Sequence, residues 1–108
     1  MTQITQVSAR ELADMLSGPQ PPCVLDVRED WERALASIPG SLHIPLQQIP
    51  LRLKELDVSK TIIAMCKAGG RSQMAAEYLR AHGCQHIGNL SGGIDAWARE
   101  VDPQMTTY

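Results

Sequence analysis

Apolar residues along the chain keep two rhythms, one of period about 3.6 and one of short unbroken runs, and the two alternate. The first run, Ile4-Thr5-Gln6-Val7, predicts a short strand. Ser8 and Glu11 then have the spacing of a capping box, and Ala9, Leu12, Ala13 and Leu16 share one helical face that Gly18-Pro19 ends. Cys23-Val24-Leu25-Asp26-Val27 predicts a buried strand, residues 30–36 a short helix capped by Asp30, and Ile38-Pro39-Gly40-Ser41 a turn into the extended piece Leu42-His43-Ile44. Ile49, Leu53 and Leu56 have helical spacing, with Pro50 tolerable only in a first turn. Thr61-Ile62-Ile63-Ala64-Met65 is the most apolar run and predicts a central strand. A helix over 72–82 follows, capped by Ser72, with Ala75, Ala76 and Leu79 inward and Gly83 as its stop. A strand within 84–90, the tight turn Ser91-Gly92-Gly93 and a helical stripe of Ile94, Trp97, Ala98 and Val101 complete the pattern. Asp102-Pro103 ends that helix, and 104–108 is expected to fray. Strands alternating with helices predict an α/β fold with a mostly parallel sheet.

Composition narrows this in a few places. With 108 residues the chain has the length of one domain with one core. A net charge of -2 argues against a nucleic-acid partner. No apolar run approaches the roughly 20 residues that span a bilayer, and the first residues lack the basic start and apolar centre of a signal peptide. Three cysteines without Cys-x-x-Cys spacing suit a reducing compartment, so the expected location is the cytoplasm. Phenylalanine is absent, which leaves the core to Leu, Ile, Val, Ala and Met.

The candidate chemistry lies in Cys66-Lys67-Ala68-Gly69-Gly70-Arg71-Ser72. A cysteine at the end of a buried strand is followed by a glycine-bearing loop and a helix start. Backbone N–H groups of Lys67, Ala68, Gly69, Gly70, Arg71 and Ser72 can turn inward, and the helix terminus favours negative charge. A thiol there loses its proton readily. Ligands of parallel sheets bind outside the carboxyl ends of the strands, which singles out Cys66, because Cys23 and Cys84 stand at strand starts. Lys67 reads either as a solvated charge or as one that steers an anion. Arg71 either chelates substrate oxygens or braces the loop. Ser72 reads as a helix cap, His43 as a structural histidine and Trp97 as core. Asp26 bonds loop amides or Arg28 at its strand's end, or helps shape the site's edge.

Four segments in order carry a family resemblance: Leu25-Asp26-Val27-Arg28-Glu29, Ile38 to Pro45, Cys66 to Ser72, and Leu90-Ser91-Gly92-Gly93-Ile94-Asp95-Ala96-Trp97. Together they resemble a single-domain rhodanese over nearly the whole chain, with the domain expected at 1–103. The chain departs from the usual pattern at Ala36-Ser37, where members have Gly-His, and at Asp30, where many have proline. The resemblance implies a five-stranded, mostly parallel sheet with helices on both faces. It also implies a sulfurtransferase in which Cys66 carries sulfur from thiosulfate or a persulfide, with Lys67 to Ser72 binding substrate and Asp26 and Arg28 in support. Cyanide or a thiol such as glutathione or reduced thioredoxin would accept the sulfur, with no cofactor and no metal.

Two other classes share some features. Cysteine-dependent phosphatases also end a cysteine loop in arginine, but with five residues between, where Cys66 and Arg71 have four. Regulatory modules of the same fold often lack the cysteine. The cysteines and His43, His82 and His86 show no metal-ligand spacing.

Overall fold

The computed structural model describes residues 4–108; residues 1–3, counted in the expected domain, lie outside the described residues. Five strands, β1 (Thr5–Val7), β2 (Cys23–Asp26), β3 (Leu42–His43), β4 (Ile62–Met65) and β5 (Ile87–Leu90), join in one sheet of order β1-β5-β4-β2-β3. Every pairing is parallel. The helices are α1 (Ala9–Leu16), α2 (Asp30–Leu35), α3 (Gly70–Ala81) and α4 (Gly93–Glu100).

The sheet divides the core by side-chain parity. From β4, Ile62 and Ala64 pack with Ala75, Ala76 and Leu79 of α3, while Ile63 and Met65 pack with Leu12 of α1 and Ile94 and Trp97 of α4. Both faces of the central strands are therefore covered by helices. That is why these strands read as continuous apolar runs rather than alternating ones.

The local signals that form as expected are those whose partners lie within a turn. Ser8 Oγ accepts from the Glu11 N–H at 3.1 Å and the Glu11 carboxylate accepts from the Ser8 N–H at 2.9 Å, completing the capping box of α1. Five details differ from the sequence expectation. The helix expected through Ile49 and Leu53 is instead two 3-10 segments, Leu46–Leu51 and Leu53–Glu55, because Pro50 removes a backbone donor in mid-segment. Glu29, not Asp30, caps α2: Glu32 reaches back to the Glu29 N–H at 2.9 Å, leaving Asp30 outward. Ser72 is inside α3 rather than its cap, which is Gly69. Cys84 stands ahead of β5, its N–H spent on the Leu79 carbonyl at the end of α3. The C-terminal stretch is packed, not frayed: Met105 and Tyr108 lie against the α1–α4 side of the core, and the Tyr108 hydroxyl is hydrogen-bonded at both ends.

Candidate active site

With all strands parallel, the carboxyl ends of β2, β4 and β5 meet at one edge. Cys66 follows the last residue of β4 there and is buried. Gly69 adopts φ +112°, a left-handed conformation that side chains resist, and this bends the loop around the sulfur. The Gly69 N–H donates to Cys66 Sγ at 3.1 Å and the Ser72 N–H at 3.4 Å, while Ser72 Oγ lies 3.3 Å away. Burial pushes the Cys66 thiol up, but the Ser72 hydroxyl and the N–H groups of Ser72, Gly69 and Ala68 together hold it below the ordinary thiol value. The other two thiols go the opposite way. Burial raises Cys23, opposed only by Lys60, and burial alone raises Cys84. All three cysteines are free.

The loop is pinned on three sides. From β5, buried Asn89 accepts the Ser72 hydroxyl proton on Oδ1 and donates from Nδ2 to the Gly69 carbonyl at 3.2 Å. Ser72 has one proton for two acceptors, so it can serve Asn89 while Cys66 is a thiol and turn to the sulfur once it is a thiolate. From α4, the Ile94 and Asp95 N–H groups donate to the Cys66 and Lys67 carbonyls at 2.9 and 3.1 Å. Gly93 makes that approach: a Cβ there would stand 2.3 Å from the Lys67 carbonyl oxygen, and its φ of +60° is left-handed. From α2, the buried carboxylate of Glu32 accepts both arms of Arg71 at 2.6 and 2.9 Å. Arg71 is thus tied to α2 through both oxygens of a buried carboxylate.

Lys67 also has a partner. Its Nζ lies 3.1 and 3.0 Å from the Asp95 oxygens and 4.7 Å from the centre of the Tyr108 ring. Tyr108 OH donates to Glu32 Oε2 at 2.6 Å and accepts from Arg28 at 3.0 Å. Asp26 and Arg28 form a fully buried pair beneath this edge: Asp26 accepts from the Arg28 N–H, Nε and guanidinium at 3.0, 2.9 and 2.8 Å. Arg28 spends its remaining protons on Tyr108, the Ala36 carbonyl and the Glu32 carbonyl. His43 Nε2 is 2.7 Å from the Arg28 carbonyl, a structural place.

Asn89, Glu32, Asp95 and Tyr108 join the site only through the fold. Asn89 had a usable signal, a polar residue inside the apolar run Ile87-Gly88-Asn89-Leu90. Glu32 had its spacing from Glu29. Nothing local marks Asp95 or Tyr108, whose partners are far away in the chain.

Glu32 gives the site a pH signature. Arg71 most of all, then the Tyr108 hydroxyl and Glu29 N–H, outweigh burial and hold its carboxyl from 4.5 down to about 2. The folded value is the lower one, so this stabilisation is complete above pH 4.5 and vanishes as pH falls through about 2. Urea unfolding between pH 5 and pH 2 should show a loss of roughly 3 kcal/mol in the wild type that is absent from the pH dependence of Glu32→Gln. Parallel pH profiles would remove Glu32 as the origin.

An all-parallel α/β domain that holds a buried cysteine sulfur in a ring of N–H donors is built to stabilise an anionic sulfur at one sheet edge. The chain belongs to the rhodanese-like family: the family's sequence model, described as the Rhodanese-like domain, matches residues 8–100. A sulfurtransferase of Allochromatium vinosum is 32% identical over 100 residues, covering 93% of this chain and 94% of its own. The putative sulfurtransferase YtwF of Bacillus subtilis is 32% identical, covering 94% and 98%. The crystal structure of a rhodanese-like domain protein from Staphylococcus aureus superposes with a TM-score of 0.85 at 30% identity, over 97% of this chain and 99% of that one. Longer proteins match too. The adenylyltransferase and sulfurtransferase MOCS3 of Arabidopsis thaliana is 30% identical, but the chain spans 26% of its length. Among the described residues no helix is long and apolar enough to cross a membrane, and no cluster of His, Cys, Asp and Glu could hold a metal ion.

Proposed function

We propose that the protein is a sulfurtransferase that carries a sulfane sulfur on Cys66 from thiosulfate or a persulfide donor to a thiol or cyanide acceptor. The observation that carries this reading is the Cys66 sulfur in its ring of N–H and hydroxyl donors, lowered in pKa although buried. The thiolate attacks the outer sulfur of the donor, the donor's S–S bond breaks, and the enzyme is left as Cys66–S–S⁻. That anion needs the same ring of donors, so one cradle serves both forms. Because the hydrogen bonds already favour the thiolate, no separate general base is needed.

A phosphatase reading is disfavoured by the four-residue gap and by Arg71, whose fork is filled by Glu32 instead of being open to a phosphoryl group. Glutathione and reduced thioredoxin are the acceptors we favour in the cell. A reducing compartment such as the cytoplasm suits three free thiols. Initial rates measured against donor at several fixed acceptor concentrations should give parallel double-reciprocal lines, as a two-step transfer through Cys66 requires. Converging lines would mean that donor and acceptor bind together and would overturn the covalent carrier.

A further inference from the structure

Both cations of the cysteine loop are already matched by carboxylates. Arg71 forks onto Glu32, and Lys67 Nζ lies within 3.1 Å of both Asp95 oxygens. Arg99, lining the same cleft as Lys67 and Asp95, is itself beside Glu100. A dianion arriving at this rim meets little uncompensated positive charge. Asp95 is also more than a loose surface partner. It stands in the first turn of α4, which is held against the loop by two backbone hydrogen bonds to the Cys66 and Lys67 carbonyls and by the close approach of Gly93. Its backbone is thus fixed beside the loop, its half-buried carboxylate meets Lys67 Nζ, and the Tyr108 ring flanks Lys67 as well.

We propose that Asp95 is a positioning residue for donor specificity: by holding Lys67, it disfavours thiosulfate and leaves the site suited to a thiol-borne persulfide. This deepens, and rests on, the sulfur-transfer reading. With a persulfide R–S–S–H, the Cys66 thiolate forms a bond to the outer sulfur, the S–S bond of the donor breaks, and its electron pair leaves on R–S⁻. Cys66 first becomes Cys66–S–S–H, whose proton passes to the departing R–S⁻, leaving Cys66–S–S⁻ and R–S–H; each side of the reaction carries one negative charge. With thiosulfate the same attack brings one negative charge onto a dianion, giving Cys66–S–S⁻ and sulfite. Repulsion scales with the product of the charges, so thiosulfate depends far more on a free cation at the mouth. Lys67 would be that cation if Asp95 did not hold it.

The test is rapid-quench intact-mass measurement of Cys66 loading from thiosulfate and from the persulfide of 2-mercaptoethanol, a thiol with no other charged group, using the full chain. Asp95→Asn should raise the thiosulfate-to-persulfide loading ratio by about tenfold, and the thiosulfate rate should become steeply salt-dependent. The gain should fall mainly on the KM for thiosulfate. Adding Lys67→Met should cancel it, and Asp95→Glu should restore the wild-type ratio. A ratio unmoved by Asp95→Asn, or a gain that survives Lys67→Met, would overturn the proposal. Absence of loading from either donor in every variant would instead overturn the sulfur-transfer reading, and the inference would fall with it.

Discussion

Cys66→Ser should abolish the one-sulfur mass adduct and lower sulfur transfer by several orders of magnitude, toward the roughly 10⁶-fold seen when a covalent nucleophile is removed. The serine hydroxyl would occupy nearly the same place among the Gly69 and Ser72 donors, so the fold should survive. It cannot stand in for the thiol because a serine alcohol is not ionised by hydrogen bonds of this kind. Cys23→Ser and Cys84→Ala should keep the adduct, since burial raises those two thiols and neither lies at the carboxyl edge of the sheet. Intact mass after incubation with a persulfide donor, with unfolding midpoints measured alongside, reads all three variants. An adduct that persists in Cys66→Ser would sink the assignment of the carrier.

The largest effect on stability is expected at Asp26. Its carboxylate and the Arg28 guanidinium are both fully buried, and Asp26 accepts three bonds from Arg28. Asp26→Ala would leave the Arg28 charge in the interior with only Tyr108 and two carbonyls for company, and would strand the Arg28 N–H. Breaking one side of such a pair costs about 3–5 kcal/mol. Because the cost is that of an orphaned charge, Asp26→Ala combined with Arg28→Met should be less destabilised than Asp26→Ala alone. Urea unfolding of the two variants checks the sign directly. If the double variant is the weaker one, the pair contributes through something other than mutual neutralisation. The same lesion should reach the site, since Arg28 holds Tyr108, and Tyr108 shares Glu32 with Arg71.

That chain of contacts marks the limit of what could be read from the residues alone. The cysteine loop was legible because its parts are neighbours: an apolar strand, Cys66, two glycines and a helix start fall within a few positions. Capping at Ser8 and the Gly92-Gly93 turn were legible for the same reason. Asp26 stood out as an acid in an apolar strand, and its bond to Arg28 spans only two residues. Asn89 offers the same signal, a polar residue inside an apolar strand.

The charges at the mouth were another matter. In sequence Lys67 reads as a solvated or an anion-steering charge, and Arg71 as a substrate fork or a brace for the loop, with no partner named for either. The structure gives Lys67 to Asp95 across 28 positions and Arg71 to Glu32 across 39. Tyr108 looked like the end of a frayed tail, yet its hydroxyl closes on Glu32 across 76 positions. Sequence by itself determined the alternation of strands and helices, the family signatures and which of the three thiols stands at the carboxyl edge of the sheet. Those depend on backbone preference and chemistry within one or two turns of chain. Only the tertiary structure decided which acids meet which cations, because the order β1-β5-β4-β2-β3 brings α2, α3, α4 and the C-terminus to a common edge that no local pattern specifies.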